Sequence, residues 1–221
     1  MPGERGAMKV MLVNGSPHKK GCTNRALEEV ASALTDEGID PQVFWIGKDV
    51  PGCRGCYHCY LTGRCAIKDS VNEFRPLARE ADGFVFGAPV HFGHAGASML
   101  GFMDRLFFSD GHTSCGEPPA LVHKPAAAVT SSRRAGTTSA LEDMEKFFTI
   151  SQMPVVGSSY WNMVHGMTAK DAEQDEEGMA TMRQLGHDMA WTLRSIEAGR
   201  AAGVQPPEQE DRVRTSFIRK T

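Results

Sequence analysis

Apolar positions along the chain alternate between two periods. Residues 9–14 (KVMLVN) form a short, nearly continuous apolar run, the mark of a strand buried on both faces. The run ends at Gly15, and from Thr23 the period lengthens: Ala26, Leu27, Val30, Ala31 and Leu34 share one helix face. The same alternation then repeats. Residues 42–46 read as a second strand, and 70–80 as a helix that Pro76 kinks or splits. Residues 83–88 (GFVFGA) read as a third strand, and 97–108 as a helix turning Met99, Leu100, Met103 and Phe107 inward. Residues 126–130 predict a fourth strand, and 139–150 a helix opened by the capping box Ser139-x-x-Glu142. A fifth strand is expected over 155–159, with Pro154 at its start, where an edge strand tolerates it. Met179, Met182, Leu185, Met189, Leu193 and Ile196 mark a last amphipathic helix.

Five strands alternating with helices imply an α/β three-layer sandwich around a parallel sheet. The flavodoxin-like order 2-1-3-4-5 suits 221 residues. Residues 8–200 read as one domain, and 201–221, with Pro206-Pro207 and mixed charges, as a polar tail. Composition adds exclusions. The net charge of -3 argues against a nucleic-acid partner, which favours basic patches. No apolar run approaches the ~20 residues that span a bilayer. The start, MPGERGAMKVMLVNG, has no long apolar segment and no cleavage-like tail, so a cytoplasmic chain is expected. Seven of the 12 methionines fall between Met144 and Met189, a stripe suited to adaptable core or a subunit interface.

Three loops leave strands at one sheet edge. Residues 15–24 (GSPHKKGCTN) join strand one to helix one, where free N–H groups and a helix N-terminus suit a phosphate. Ser16 and Thr23 add hydroxyls, Asn24 an amide, and His18 and Lys19 positive charge. The spacing matches neither the dinucleotide nor the P-loop fingerprint, and a polar loop with Thr23 as helix cap is the plain alternative. Residues 88–93 (APVHFG) follow strand three across the switch-point crevice. There Pro89 stiffens the turn, Phe92 offers a stacking face or a core aromatic, and Gly93 permits close approach. Residues 130–138 (TSSRRAGTT) follow strand four. Thr130, Ser131, Ser132 and Gly136 can line the polar rim of a flat ligand. Arg133 and Arg134 read as anion partners or as a solvated loop. Asp104-Arg105 reads as a surface or helix-end ion pair. Tyr160-Trp161 and His165 follow the last strand and suit a subunit or substrate contact, or the anchoring of a long loop; His187 reads as structural.

NGSPHKKGCTN resembles the GSPR-x-x-G-N-T loop of the NAD(P)H-dependent FMN reductase family, and APVHFGHAGASMLGFMDR resembles that family's S-P-V-Y-[FW]-G...F-[IL]-D-R segment. The resemblance implies that Ser16, His18, Cys22, Thr23 and Asn24 bind the FMN phosphate. It also implies that Pro89, Val90, His91, Phe92 and Gly93 wrap the isoalloxazine ring. His18, Cys22 and His91 stand where Arg, Asn and Tyr are usual, and His91 is the one candidate catalytic group. The function implied is reduction of FMN by NAD(P)H and of a quinone, flavin or other small acceptor by FMN. A non-enzymatic electron carrier is the alternative on the same scaffold.

Four of the six cysteines form the run Cys53-x2-Cys56-x2-Cys59-x5-Cys65. Disulfides do not suit a chain with no export signal, whereas close thiolates suit a metal. Two successive C-x2-C steps wrap three corners of a cubane, and a fourth thiolate follows; a zinc knuckle, with its pairs set well apart, fits less well. The loop over 47–67 is far longer than the ~2–6 residues usual between strand and helix. The pattern resembles that of iron–sulfur flavoproteins. That resemblance implies a [4Fe–4S] cluster beside FMN, electron exchange with a partner such as ferredoxin, and a homodimer or homotetramer. The plain alternative is a loop of reduced thiols without metal. Cys115, more distant, reads as a free thiol.

Overall fold

A computed structural model of the chain describes residues 6–111, 118–210 and 213. Cys115, the first five residues and about half of the expected tail lie outside them.

Three strands, β1 (Lys9–Asn14), β3 (Gly83–His91) and β5 (Ala126–Ser132), form the centre of a parallel sheet. Their central stretches are apolar because each face is covered there, and the two-residue period divides them. Val10, Leu12, Val85, Ala127 and Val129 enter one core, with α1 (Cys22–Asp36) and α7 (Glu176–Ala201). Met11, Val13, Phe84, Phe86, Ala126 and Ala128 enter the other, with α3 (Ser70–Glu80), α4 (Ala97–Gly111) and α5 (Thr137–Ile150). The edges are β2 (Asp40–Trp45) and β6 (Met163–His165), giving the order β2-β1-β3-β5-β6; β4 (His94–Ala95) pairs antiparallel with β3 off this path. Two short helices, α2 (His58–Thr62) and α6 (Ala169–Ala172), complete the described elements. This is the expected flavodoxin-like sandwich, with six strands rather than five. Among the described residues no helix is long and apolar enough to cross a membrane.

Several boundaries differ from expectation for physical reasons. The last strand lies at β6, not at 155–159. There the chain makes one bridge, Ala126 with Val155, then leaves the sheet and returns at Met163. Helix α3 runs unbroken through Pro76, which is exposed, so its ring lies on the solvent side. Helix α5 starts at Thr137 behind Gly136 (φ 92°), with no side-chain cap; Ser139 and Glu142 lie inside it and form no capping box. The methionine stripe is divided between the two cores: Met144 and Met153 lie under α5, Met179, Met182 and Met189 under α7, and Met167 is exposed.

Candidate functional site

The C-terminal ends of β1, β3 and β5 deliver the three loops to one edge. The first is organised by Asn14, fully buried at the end of β1. Its amide donates to Lys19 O (3.2 Å) and Asn24 Oδ1 (3.2 Å), and its Oδ1 accepts from Ser16 N (3.0 Å). Ser16 Oγ accepts from His18 N (3.1 Å), and Trp45 Nε1 donates to Ser16 O (2.8 Å) from the end of β2. Helix α1 begins at Cys22 behind Gly21 with no side-chain cap, so its first-turn N–H groups face the loop uncapped. Thr23 is therefore not the cap; its hydroxyl meets Ser131 Oγ at 2.7 Å. The Asn24 amide is committed to Glu28 (2.6 Å), and the Cys22 thiol to Gly166 O (3.4 Å). Burial raises the Cys22 pKa, keeping a neutral thiol. His18 is exposed at the loop's outer side.

Strand β3 continues through Pro89, Val90 and His91 and turns back at Phe92-Gly93 into β4, where His91 faces His94. Both turn residues have positive φ, 50° and 83°, as a tight I′ hairpin turn requires. The Phe92 ring is wholly in solvent, so it is no core aromatic. Asp143 of α5 accepts from Ala95 N (3.2 Å) and ties the hairpin down. A Cβ on Gly136 would lie 2.8 Å from Gly93 Cα and 2.9 Å from Val90, so only glycine lets the third loop sit on the second. Thr130, Ser131 and Ser132 are strand residues rather than loop. Ser131 points toward Thr23, whereas Thr130 and Ser132 point to the opposite face, buried and with no partner for either hydroxyl. Two orphaned buried hydroxyls at a strand end call for a ligand or solvent to complete them. Arg133 and Arg134 are exposed beyond them.

The cysteine loop is held by α4. A Cβ on Gly101 would meet Val50 O at 2.9 Å and Gly52 N at 3.0 Å, so the loop backbone rests directly on the helix there. One turn on, Arg105 is buried with 1% of its side chain exposed. It forms a two-pronged ion pair with Asp69 (2.7 Å on both prongs) and donates to Pro51 O (3.3 Å), Ile67 O (3.2 Å) and Cys65 Sγ (3.2 Å). The next position on that face, Phe108, packs against Tyr57 (6.1 Å) and Tyr60 (5.8 Å). Positions 101, 105 and 108 thus form one stripe along α4. Asn72 of α3 fixes Cys65 from the other side, accepting from its N–H (3.1 Å) and donating to its carbonyl (2.9 Å).

Cys53, Cys56, Cys59 and Cys65 line one cavity of about 160 Å³ with Arg54, Arg105 and Phe108. Cys53 and Cys56 are exposed, Cys65 is half-buried and Cys59, in α2, is buried. Burial raises the Cys59 pKa, and the charges of Cys65, Cys53 and Cys56 raise it further. Among the described residues no three His, Cys, Asp or Glu are gathered tightly enough to hold a metal ion. The thiols surround a space rather than a point. The pair expected at Asp104-Arg105 is corrected here: Arg105 is buried and pairs with Asp69, while Asp104 is exposed, its pKa raised by partial burial. Asn14, Trp45, Asp69, Asn72 and Gly101 were not singled out from sequence. His187 is structural as expected, 2.9 Å from Glu37. Tyr160 and Trp161 are exposed, edge to face at 5.0 Å.

Residues 8–168 match the family model of the NADPH-dependent FMN reductases. An iron–sulfur flavoprotein of Methanocaldococcus jannaschii is 31% identical over 86% of this chain and 100% of its own length. An iron–sulfur flavoprotein of Methanosarcina thermophila is 26% identical over 87% of this chain and 99% of its own. Among solved structures, a flavodoxin from the domain Archaea superposes with a TM-score of 0.53 at 20% identity, covering 85% of this chain and 99% of that one.

Proposed function

The chain belongs to the NADPH-dependent FMN reductase family, on the branch of its iron–sulfur flavoprotein relatives, and from that premise we propose that it exchanges electrons between FMN and an iron–sulfur cluster held by Cys53, Cys56, Cys59 and Cys65. The observation that carries this reading is the cavity lined by all four thiols. A zinc ion needs its sulfurs at about 2.3 Å from one centre, whereas thiols spread around a larger space suit a multi-iron group. The flavin site fits as well. The uncapped first turn of α1 and the ordered N–H groups of the first loop suit a phosphate, and the orphaned Thr130 and Ser132 hydroxyls suit a polar ligand edge.

When bound, FMN links two-electron to one-electron chemistry, and the cluster supplies one-electron chemistry. The chain's own groups bind and orient. Ser16, Thr23 and the α1 N-terminus hold the phosphate, with His18 at its outer side. Cys22 and Asn24, whose polar groups are committed elsewhere, contribute backbone N–H groups. Pro89, Val90, His91, Phe92 and Gly93 border the ring, with Gly136 packed behind Val90 and Gly93 and Ser131 beside Thr23. Exposed Cys53 and Cys56 leave the cavity open at the surface, where a ferredoxin-like protein can exchange electrons. The exposed Phe92, Tyr160 and Trp161 favour a homodimer or homotetramer.

A second reading, hydride supply by NAD(P)H for reduction of a quinone or other small acceptor, is favoured by exposed Arg133 and Arg134, which suit a nicotinamide cofactor's phosphate. One preparation tests both. Protein purified without oxygen should carry FMN, iron and acid-labile sulfide. Flavin bands without iron would remove the cluster, and a colourless chain that refuses added FMN would remove the whole reading. Oxidation of NADH or NADPH with an artificial acceptor separates a reductase from a carrier.

A further inference from the structure

We propose that Arg105 sets the reduction potential of the cysteine-held centre, through its hydrogen bond to Cys65 Sγ and the partial neutralisation of its charge by Asp69. This rests on the proposed cluster. Four thiolates concentrate negative charge, and one added electron increases it. A donor aimed at a ligand sulfur, or a nearby cation, therefore stabilises the reduced form and raises the potential. Arg105 offers both. Its Nε donates to Cys65 Sγ at 3.2 Å, and its remaining prongs are fixed by Asp69, Pro51 O and Ile67 O, so the donor cannot swing away.

The two-pronged ion pair with Asp69 compensates the buried guanidinium charge. The other charged residue lining the cavity is Arg54, and no carboxylate lines it among the described residues. Asp69 stands behind Arg105, with 23% of its side chain exposed, and also caps α3 by accepting from Val71 N (3.1 Å). The pair therefore presents a cation whose strength at the sulfur depends on its counter-charge.

The test uses the full chain, purified without oxygen and reconstituted with iron, sulfide and FMN, as wild type, Arg105→Lys and Asp69→Asn. Iron, sulfide and flavin are counted per chain, and the cluster and flavin potentials are read separately by titration followed by electron paramagnetic resonance and visible absorption. Lysine keeps the charge but lacks the fork that reaches Asp69 and the sulfur together. Its one-electron reduction equilibrium should fall about tenfold, a shift of about 59 mV downward. Asparagine keeps the cap but removes the counter-charge, and the potential should move upward by a similar amount. The flavin potential should stay in place in both. Opposite shifts at full iron content are the signature that a merely structural arginine would not give. If Arg105→Lys does not retain iron, Asp69→Asn alone decides. A wild-type chain with FMN but no iron overturns the cluster reading and this inference together. A full cluster whose potential is unmoved by Asp69→Asn overturns this inference alone.

Discussion

Phe92 holds a left-handed backbone (φ 50°) while its ring lies entirely in solvent, so it bears a conformational cost without packing to offset it. A non-glycine residue there costs about 1 kcal/mol, and the Asn-Gly pair is the favoured sequence for this turn. Phe92→Asn should therefore raise Tm by about 2 °C while weakening FMN binding or slowing turnover; thermal unfolding and FMN titration together read the trade. A variant that is both less stable and fully active would show that the ring packs somewhere in the free chain. Asn14 presents the opposite case, a buried side chain with three hydrogen bonds that order the first loop. Asn14→Ala should cost about 2 kcal/mol of stability, and the disordered loop should weaken FMN binding about tenfold, equivalent to about 1.4 kcal/mol. Urea unfolding checks the first figure and flavin fluorescence quenching the second.

Helix packing shows why some elements were legible in the sequence and others were not. A Cβ on Gly186 of α7 would lie 2.6 Å from Ala33 Cβ, so α1 and α7 approach as closely as backbones allow. The Glu29 carboxylate of α1 clamps that contact between Arg25 and Arg183 of α7. Burial raises the Glu29 pKa, but the hydrogen bonds from Arg183 and Arg25 outweigh it and hold the group below its ordinary 4.5. A depressed carboxylate contributes stability above its unfolded value and loses it as pH falls through the folded one. The urea midpoint of Glu29→Gln should thus lie below that of wild type near neutrality, and the gap should close as pH falls below the ordinary 4.5 and through the lowered folded value. A gap independent of pH would mean the carboxylate's charge is not what holds the helices. The period of α1 and α7 was plain because each buries one long face, and β1, β3 and β5 were plain because both their faces are covered. Strand β6 is hidden because three residues carry no period, while the Val155-Val156 pair that suggests a strand over 155–159 touches the sheet at one bridge only. Arg105 was misread because Asp104 is adjacent in sequence while its true partner, Asp69, is 36 residues away. The four cysteines were legible as a group; what holds them, the Gly101–Arg105–Phe108 stripe, depends on a loop crossing α4 that no local pattern records.

At the scale of the whole molecule, the two sites stand on different supports. The proposed flavin loops hang on β1, β3 and β5, with α1 and α5 behind them. The cysteine loop lies on α3 and α4, fixed by Asn72, Gly101 and Arg105. They meet through Trp45, whose indole holds Ser16 at the end of β2 before the chain turns at Gly47 (φ 96°) toward Cys53. That junction involves none of the four thiols. Cys53 and Cys56 are exposed, so exchanging them for serine removes two of the proposed ligands without opening a cavity in either core. The double variant Cys53→Ser, Cys56→Ser should lose iron and sulfide while keeping FMN at the wild-type ratio. Compared as iron-free chains, the two proteins should melt within about 2 °C of each other, since exposed substitutions shift stability by about 0.5 kcal/mol or less. Counting flavin, iron and sulfide per chain in parallel with a thermal scan measures both quantities. Loss of FMN together with iron would mean that the cysteine loop forms part of the flavin wall and that the supports are one.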